Sequence, residues 1–390
     1  MQDRISLRLI AVAIFWSVLT LLSACHTPPV NAPVKVVVLA SGTANEPEPE
    51  LAEEDAGILY AAGSDSTAGT AYVVNPNTGQ PTTVPLTPLR PDGEVEYAQP
   101  RRDQLLGAQV NRVQAVLDTE PASESFDLLT EIADATRVTS PPGTMIVLSS
   151  GLSVNGAFNL IDVGWGADPQ AIAAQLKSRG MIPSLAGWHV VFSGLGIVAG
   201  RQEALPLPEL TTLTDYWMAI CRASGAASCT TDETTRPEPP SRSITPVPVV
   251  PVPPVTSVTG PHGWTGKSVP ADQFFGFGSA LLLPGADNVL EPLATRAIDN
   301  HSLISITGYA SPDGGSDAFN QALSTARAQS VRTRLISLGV SPAQIVQAVG
   351  LGTAGKTRSA CYRNSSLDES ICAQLRRVVI LLSPAPTASA

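Results

Sequence analysis

The chain has 390 residues, of which 43% are apolar and 15% charged. That predicts two or three domains and excludes wholesale disorder. The formal net charge is −10, which argues against nucleic-acid binding. Charge is unevenly spread: residues 1–24 carry a net +1, residues 26–256 a net −13 and residues 257–390 a net +2. The division points to two bodies with different surroundings. The 34 prolines, about twice the usual share, predict a linker.

Arg4 and Arg8 precede a 14-residue apolar run, Leu9 to Leu22. That is short for a spanning helix, which needs about 20 residues. Leu22-Ser23-Ala24-Cys25 follows and resembles the bacterial lipobox. The resemblance implies that residues 1–24 are a lipoprotein signal peptide and that the Cys25 thiol takes the lipid. Residues 25–33 are then a lipidated tether. His26 rather than aspartate follows the cysteine, which favours the outer membrane, facing the periplasm.

Val34–Ala40 reads as a buried strand. Residues 97–118 and 123–136 read as helices, Thr144–Ser149 as a strand and residues 168–179 as a helix stopped by Gly180. Trp188–Ser193 is a third strand and Leu210–Ala223 a last helix. Strands alternating with helices predict an acidic α/β domain over residues 34–230, with a mostly parallel sheet. It has a faint resemblance to a degenerate von Willebrand factor A-like domain. A metal-binding member needs carboxylates where this chain has Leu39, Ser41, Thr43 and Ser150. No metal is therefore expected, and these hydroxyls are expected to satisfy backbone groups at strand ends. Gly194, Gly196 and Ala199 form G-x-G-x-x-A after a late strand, read as a tight turn rather than a dinucleotide site. There is no G-x-S-x-G elbow, and His189 lies inside a strand run, so no enzyme is expected.

Residues 231–256 read as a linker, with eight prolines among the 18 residues from Pro237 to Pro254. Polyproline II at about 3.1 Å per residue gives a reach of up to ~80 Å. Beyond it, residues 257–390 read as a small α+β sandwich. Its expected order is strand Phe274–Ser279, helix Ala286–His301, strand Leu303–Gly308, helix Ala318–Leu338, strand Ile345–Val349 and strand Arg377–Leu382. The tail Ser383–Ala390 is expected to be unstructured. Cys221, Cys229, Cys361 and Cys372 allow three pairings. The local pairs Cys221–Cys229 and Cys361–Cys372 each close a short loop within one domain, which fits an oxidising compartment. Zinc is the competing reading, without a C-x-x-C pair or a nearby histidine in its favour.

On the long helix, Asn320, Ser324 and Arg327 share a face with Leu323, Val331 and Leu335. A core-facing arginine must be paired or turned to a ligand; it is either a structural tie or a carboxylate grip. The run GYASPDGGSDAFNQALSTARAQSV from Gly308 resembles the OmpA-like peptidoglycan-binding family, as do FGFGSALLL from Phe275 and Arg376-Arg377-Val378. The Cys361 and Cys372 pair resembles a loop disulfide of some members. The resemblance implies a domain that holds the stem peptide of the cell wall through diaminopimelate. It makes Arg327 the carboxylate-binding arginine, Asn320 a brace for the loop and Arg377 the arginine of the closing strand. Where the family has its aspartate this chain has Ser311, with Asp313 two residues on: either Asp313 substitutes or the aspartate role is lost. The expected role is a lipoprotein that ties a membrane noncovalently to peptidoglycan, with no cofactor. The acidic domain is expected to offer a surface to an envelope protein partner. The alternative is an envelope or secretion-complex scaffold whose OmpA-like domain has lost wall binding.

Overall fold

The computed structural model describes residues 34–64, 68–74, 80–119, 123–232, 245–363 and 366–384. The signal peptide, Cys25, the tether to residue 33, linker residues 233–244 and the tail from residue 385 lie outside the described residues. No helix among the described residues is long and apolar enough to cross a membrane.

The first domain is an α/β sheet covered on both faces. Its strands are β1 (Val34–Ala40), β2 (Gly69–Val74), β3 (Pro81–Pro85), β4 (Gly143–Leu148), β5 (Trp188–Ser193) and β6 (Ser228–Thr231). They lie in the order β3-β2-β1-β4-β5-β6, all parallel except β3 against β2. The helices are α1 (Glu53–Ser64), α2 (Gln99–Leu117), α3 (Leu128–Ala135), α4 (Leu160–Val163), α5 (Pro169–Ser178) and α6 (Leu207–Ala223). Successive strand residues face opposite ways, so β1 serves two cores. Val36 and Val38 pack with Leu59 of α1 and Val113 of α2. Val37 and Leu39 join the larger core with Ile132 of α3, Leu176 of α5 and Trp217 of α6. Gly180, at φ +69°, ends α5 as expected. The Cys221–Cys229 disulfide ties the end of α6 to β6.

The second domain is a five-stranded sheet backed by two helices. Its strands are β7 (Thr256–Thr259), β8 (Thr265–Pro270), β9 (Ile304–Gly308), β10 (Ile345–Gly350), a ribbon of β11 (Tyr362–Arg363) with β12 (Ser366–Leu367), and β13 (Arg377–Leu382). The sheet order is β10-β9-β13-β8-β7, with β9 and β10 parallel. The helices are α7 (Asp287–Asp299), α8 (Asp317–Ser337) and the short α9 (Glu369–Leu375). Ile306, Val331, Leu335, Val378 and Ile380 are at the centre of the core.

Two expectations need correction. Phe274–Ser279 is not a strand. A 3-10 turn, Ala271–Gln273, carries Phe274 and Phe275 into the core, and the opening strand is β8 just before it. Both phenylalanines are buried, so alternation of facing, the mark of a half-buried strand, fails here. Nor is the second half of the proline segment a free tether. Val247 and Val250 are buried in the first domain's core. Proline has no N–H to give, so what this stretch offers is mostly carbonyls. Side chains supply the donors. Asn45 donates to Pro248, Trp165 Nε1 to Pro251 at 2.8 Å and Gln273 Nε2 to Pro253 at 2.6 Å. Gln202 brackets Val250, accepting its N–H at 2.8 Å and donating to its carbonyl at 3.1 Å. Gln202→Ala is expected to destabilise the chain by about 1–3 kcal/mol, because it strands a buried N–H. Limited proteolysis checks this: cleavage within 245–256 should rise in the variant.

Candidate functional site

A cleft of about 110 Å³ opens on the second domain, between the 3-10 turn, the start of α8 and the loop that joins β9 to α8. The sequence builds it by bringing α8 unusually close to the sheet. A Cβ on Gly308, the last residue of β9, would lie 2.3 Å from the Ser324 carbonyl oxygen, so only glycine permits this approach. Ser316 caps α8, its hydroxyl accepting the Phe319 N–H at 3.2 Å. Asn320 Nδ2 donates to the Gly314 carbonyl at 3.0 Å and so braces the loop.

Arg327 lies in the cleft, 5% exposed. Its Nε donates to the Ser279 carbonyl at 2.9 Å, and its Cζ stands 5.2 Å from the Phe275 ring centroid. Burial, together with the charge of Arg376, draws its pKa down to about 10; Asp272 acts the other way. It therefore stays charged at neutral pH. Among the described residues, Nε is the only nitrogen of Arg327 with a hydrogen-bond partner, and the two Nη groups are available to a ligand.

Ser311 and Asp313 both line the cleft. Arg376 joins them: its Nη1 lies 3.4 Å from Ser311 Oγ and 3.6 Å from Asp313 Oδ2. The Asp313 carboxylate also lies within 4.8 Å of the sulfurs of Cys361 and Cys372, which are joined as a disulfide. Asp313 thus reaches the arginine cluster from the loop after β9, two residues beyond Ser311. Arg377 lies elsewhere. Its guanidinium stacks over Tyr309, 4.5 Å from the ring centroid, and donates to the Gln374 carbonyl at 2.9 Å. Adjacent residues at the start of a strand face opposite ways, so only one arginine of the pair can enter the cleft, and it is Arg376.

Sequence reading missed Asp272, Arg376 and Gly166. Asp272 is buried and lines the cleft, and among the described residues neither carboxylate oxygen has a hydrogen-bond partner. Burial raises its pKa, while Arg376 and Arg327 pull the other way. The site therefore holds two arginines and two carboxylates. That set suits a ligand end carrying both charges: carboxylate to guanidinium, ammonium to carboxylate.

A second concavity lies at the C-terminal edge of the first domain's sheet. There the buried Glu46, which sequence reading missed, gathers the hydroxyls. Its Oε1 lies 2.9 Å from Ser41 Oγ and 2.8 Å from Ser150 Oγ, and takes the Ser150 N–H at 2.7 Å. Its Oε2 takes the Thr43 N–H at 2.8 Å. So Ser41 and Ser150 donate chiefly to a carboxylate from the loop after β1, and of the backbone contacts expected, Ser150 Oγ accepts the Leu152 N–H at 3.4 Å. Gly194 and Gly196 form a turn at φ +91° and +75°. His189 is exposed, with Nδ1 2.8 Å from Ser228 Oγ.

Residues 274–365 match the OmpA family model. A putative MotB-like protein from Desulfovibrio vulgaris is similar at 28% identity, over 35% of this chain and 82% of that one, with a TM-score of 0.29. The peptidoglycan-associated lipoprotein from Burkholderia pseudomallei is 29% identical over 30% of this chain and 89% of its own, with a TM-score of 0.25. The cell wall anchor of the T6SS from Pseudomonas aeruginosa is 20% identical over 33% and 87%, with a TM-score of 0.27. Comparison with curated proteins finds no match.

Proposed function

We propose that this protein is a cell-envelope lipoprotein that holds a membrane to peptidoglycan without a covalent bond to the wall. The observation that carries this reading is the cleft inside an OmpA-type domain, where Arg327 presents free Nη groups beside Arg376 and two carboxylates. The ligand end it fits is the diaminopimelate of a stem peptide. Arg327 grips the carboxylate, Asn320 keeps the loop in place, and Asp313 and Ser311 set Arg376. Lipid on Cys25 supplies the other grip, and two modest grips joined by one chain hold far better than either alone. On this reading the protein works by binding and performs no catalysis.

The test is cosedimentation of the full chain with purified peptidoglycan, beside metabolic labelling with palmitate. Wild type should pellet with the wall and take up label. Cys25→Ser should lose the label and still pellet. A wild type that stays in the supernatant at all wall concentrations would sink the tether. The scaffold reading would then take over, and one observation favours it: Asp313 already has a positive partner in Arg376, where the family position holds Ser311.

A further inference from the structure

The cleft is not made by the second domain alone. Gly166, in the loop between α4 and α5 of the first domain, lines it too. This loop is held firmly. Trp165 is buried and donates to the Pro251 carbonyl. The Tyr216 hydroxyl from α6 lies 2.9 Å from the Gly164 carbonyl oxygen and accepts the Ala167 N–H at 3.2 Å. Asp168 then caps α5 through the Gln170 N–H.

Gly166 lies flat against the guanidinium of Arg376. A Cβ there would stand 2.4 Å from Nη2, 2.7 Å from Cζ and 2.9 Å from Nε. Those three atoms define one face of the guanidinium, so the bare glycine backbone is its backstop. Nη1 is left turned toward Ser311 and Asp313. Further contacts fix the two domains around the cleft. Glu209 of α6 is fully buried and feels the charge of Asp272. A Cβ on Gly285 would come within 2.9 Å of Leu207 Cβ.

We propose that the first domain is a working part of the ligand site: its 164–168 loop is one wall of the cleft and positions Arg376 for a ligand carboxylate. Gly166 is a positioning residue that acts through Arg376. This inference rests on the wall-binding reading above. It adds that the cleft is a two-domain site and that its shape depends on domain docking.

Gly166→Ala tests it in the full chain. The added methyl meets the far end of a flexible side chain, so the arginine swings away and the fold survives. The probe is a soluble diaminopimelate-containing tripeptide, with binding followed by calorimetry. Gly166→Ala should weaken binding about tenfold, as expected for one charge-assisted contact, with an unchanged melting temperature. Arg376→Ala should weaken it at least as much. In the double variant, Gly166→Ala should add no further loss, because its effect passes through the arginine already removed. Additive losses, or a Gly166→Ala protein that binds like wild type, would overturn the two-domain site and leave wall binding standing. A wild type that binds no tripeptide would bring down both.

Discussion

Glu209→Gln is expected to make the protein more stable at alkaline pH and to flatten the dependence of its stability on pH. Glu209 lies at the domain seam, fully buried, and by strict geometry neither of its carboxylate oxygens has a hydrogen-bond partner among the described residues. Burial, then the charge of Asp272, pushes its pKa from 4.5 up to about 8. The sign follows from proton counting. Below pH 4.5 the group is protonated in both folded and unfolded chains and costs nothing. Between 4.5 and 8 the folded chain keeps a proton that the unfolded chain releases, so stability falls as pH rises. The full loss is reached above about pH 8 and amounts to at most about 5 kcal/mol. Asp272, also raised by burial, adds a loss of the same sign. Glutamine keeps the volume and removes the charge. Urea unfolding at pH 5, 7 and 8.5 checks the prediction. The wild-type and Glu209→Gln curves should agree near pH 5 and separate with rising pH. Parallel curves would mean that Glu209 ionises freely in the folded chain.

That seam shows where sequence reading stops. The elements with strong local signals were legible: β1, β4 and β5 as β-branched or aromatic runs, and α8 from its apolar face. Arg327 on that face was legible as a charge in need of a partner. The first third of the chain was less so. Helix α1 (EEDAGILYAAGS) has small residues all round and hardly any apolar stripe, and β2 and β3 are short and mixed. The opening strand was misplaced because Phe274 and Phe275 look like strand residues, yet both enter the core from a 3-10 turn.

The proline segment carried a signal that proline content hid. Polyproline II has three residues per turn, so Val247, Val250 and Pro253 share one edge. The two valines enter the first domain's core, and Pro253 accepts from Gln273 of the second. Spacing of this kind marks a docked strap rather than a free spacer. Gly166 had no local signal, because it matters only once two domains meet, and Asp272 had none because its turn meets Arg376 and Arg327 only through the fold of the second domain. Arg376 against Arg377 was a question of strand facing, and one residue of register decided it.

Removal of Arg327 is the change expected to weaken wall binding most. Its two Nη groups match a carboxylate in a bidentate fork, a contact worth about 1.5–3 kcal/mol, or roughly tenfold to over a hundredfold in affinity. The effect of shape separates from that of charge through three variants. Arg327→Lys keeps a charge but offers one point of contact, so it should bind between wild type and Arg327→Ala. Arg327→Met fills the space against Phe275 without charge, so it should bind as poorly as Arg327→Ala and be the more stable of the two. The neighbours give a second signature. Arg327 and Arg376 each repel the other and each attract Asp272. Without Arg327, Asp272 keeps Arg376 alone, and its carboxyl should hold its proton to a higher pH. Tripeptide titration across the variants, repeated at pH 6 and 8, measures both effects. Equal affinity in Arg327→Met and wild type would remove Arg327 from the ligand contact and leave it as a structural tie between α8 and the Ser279 turn.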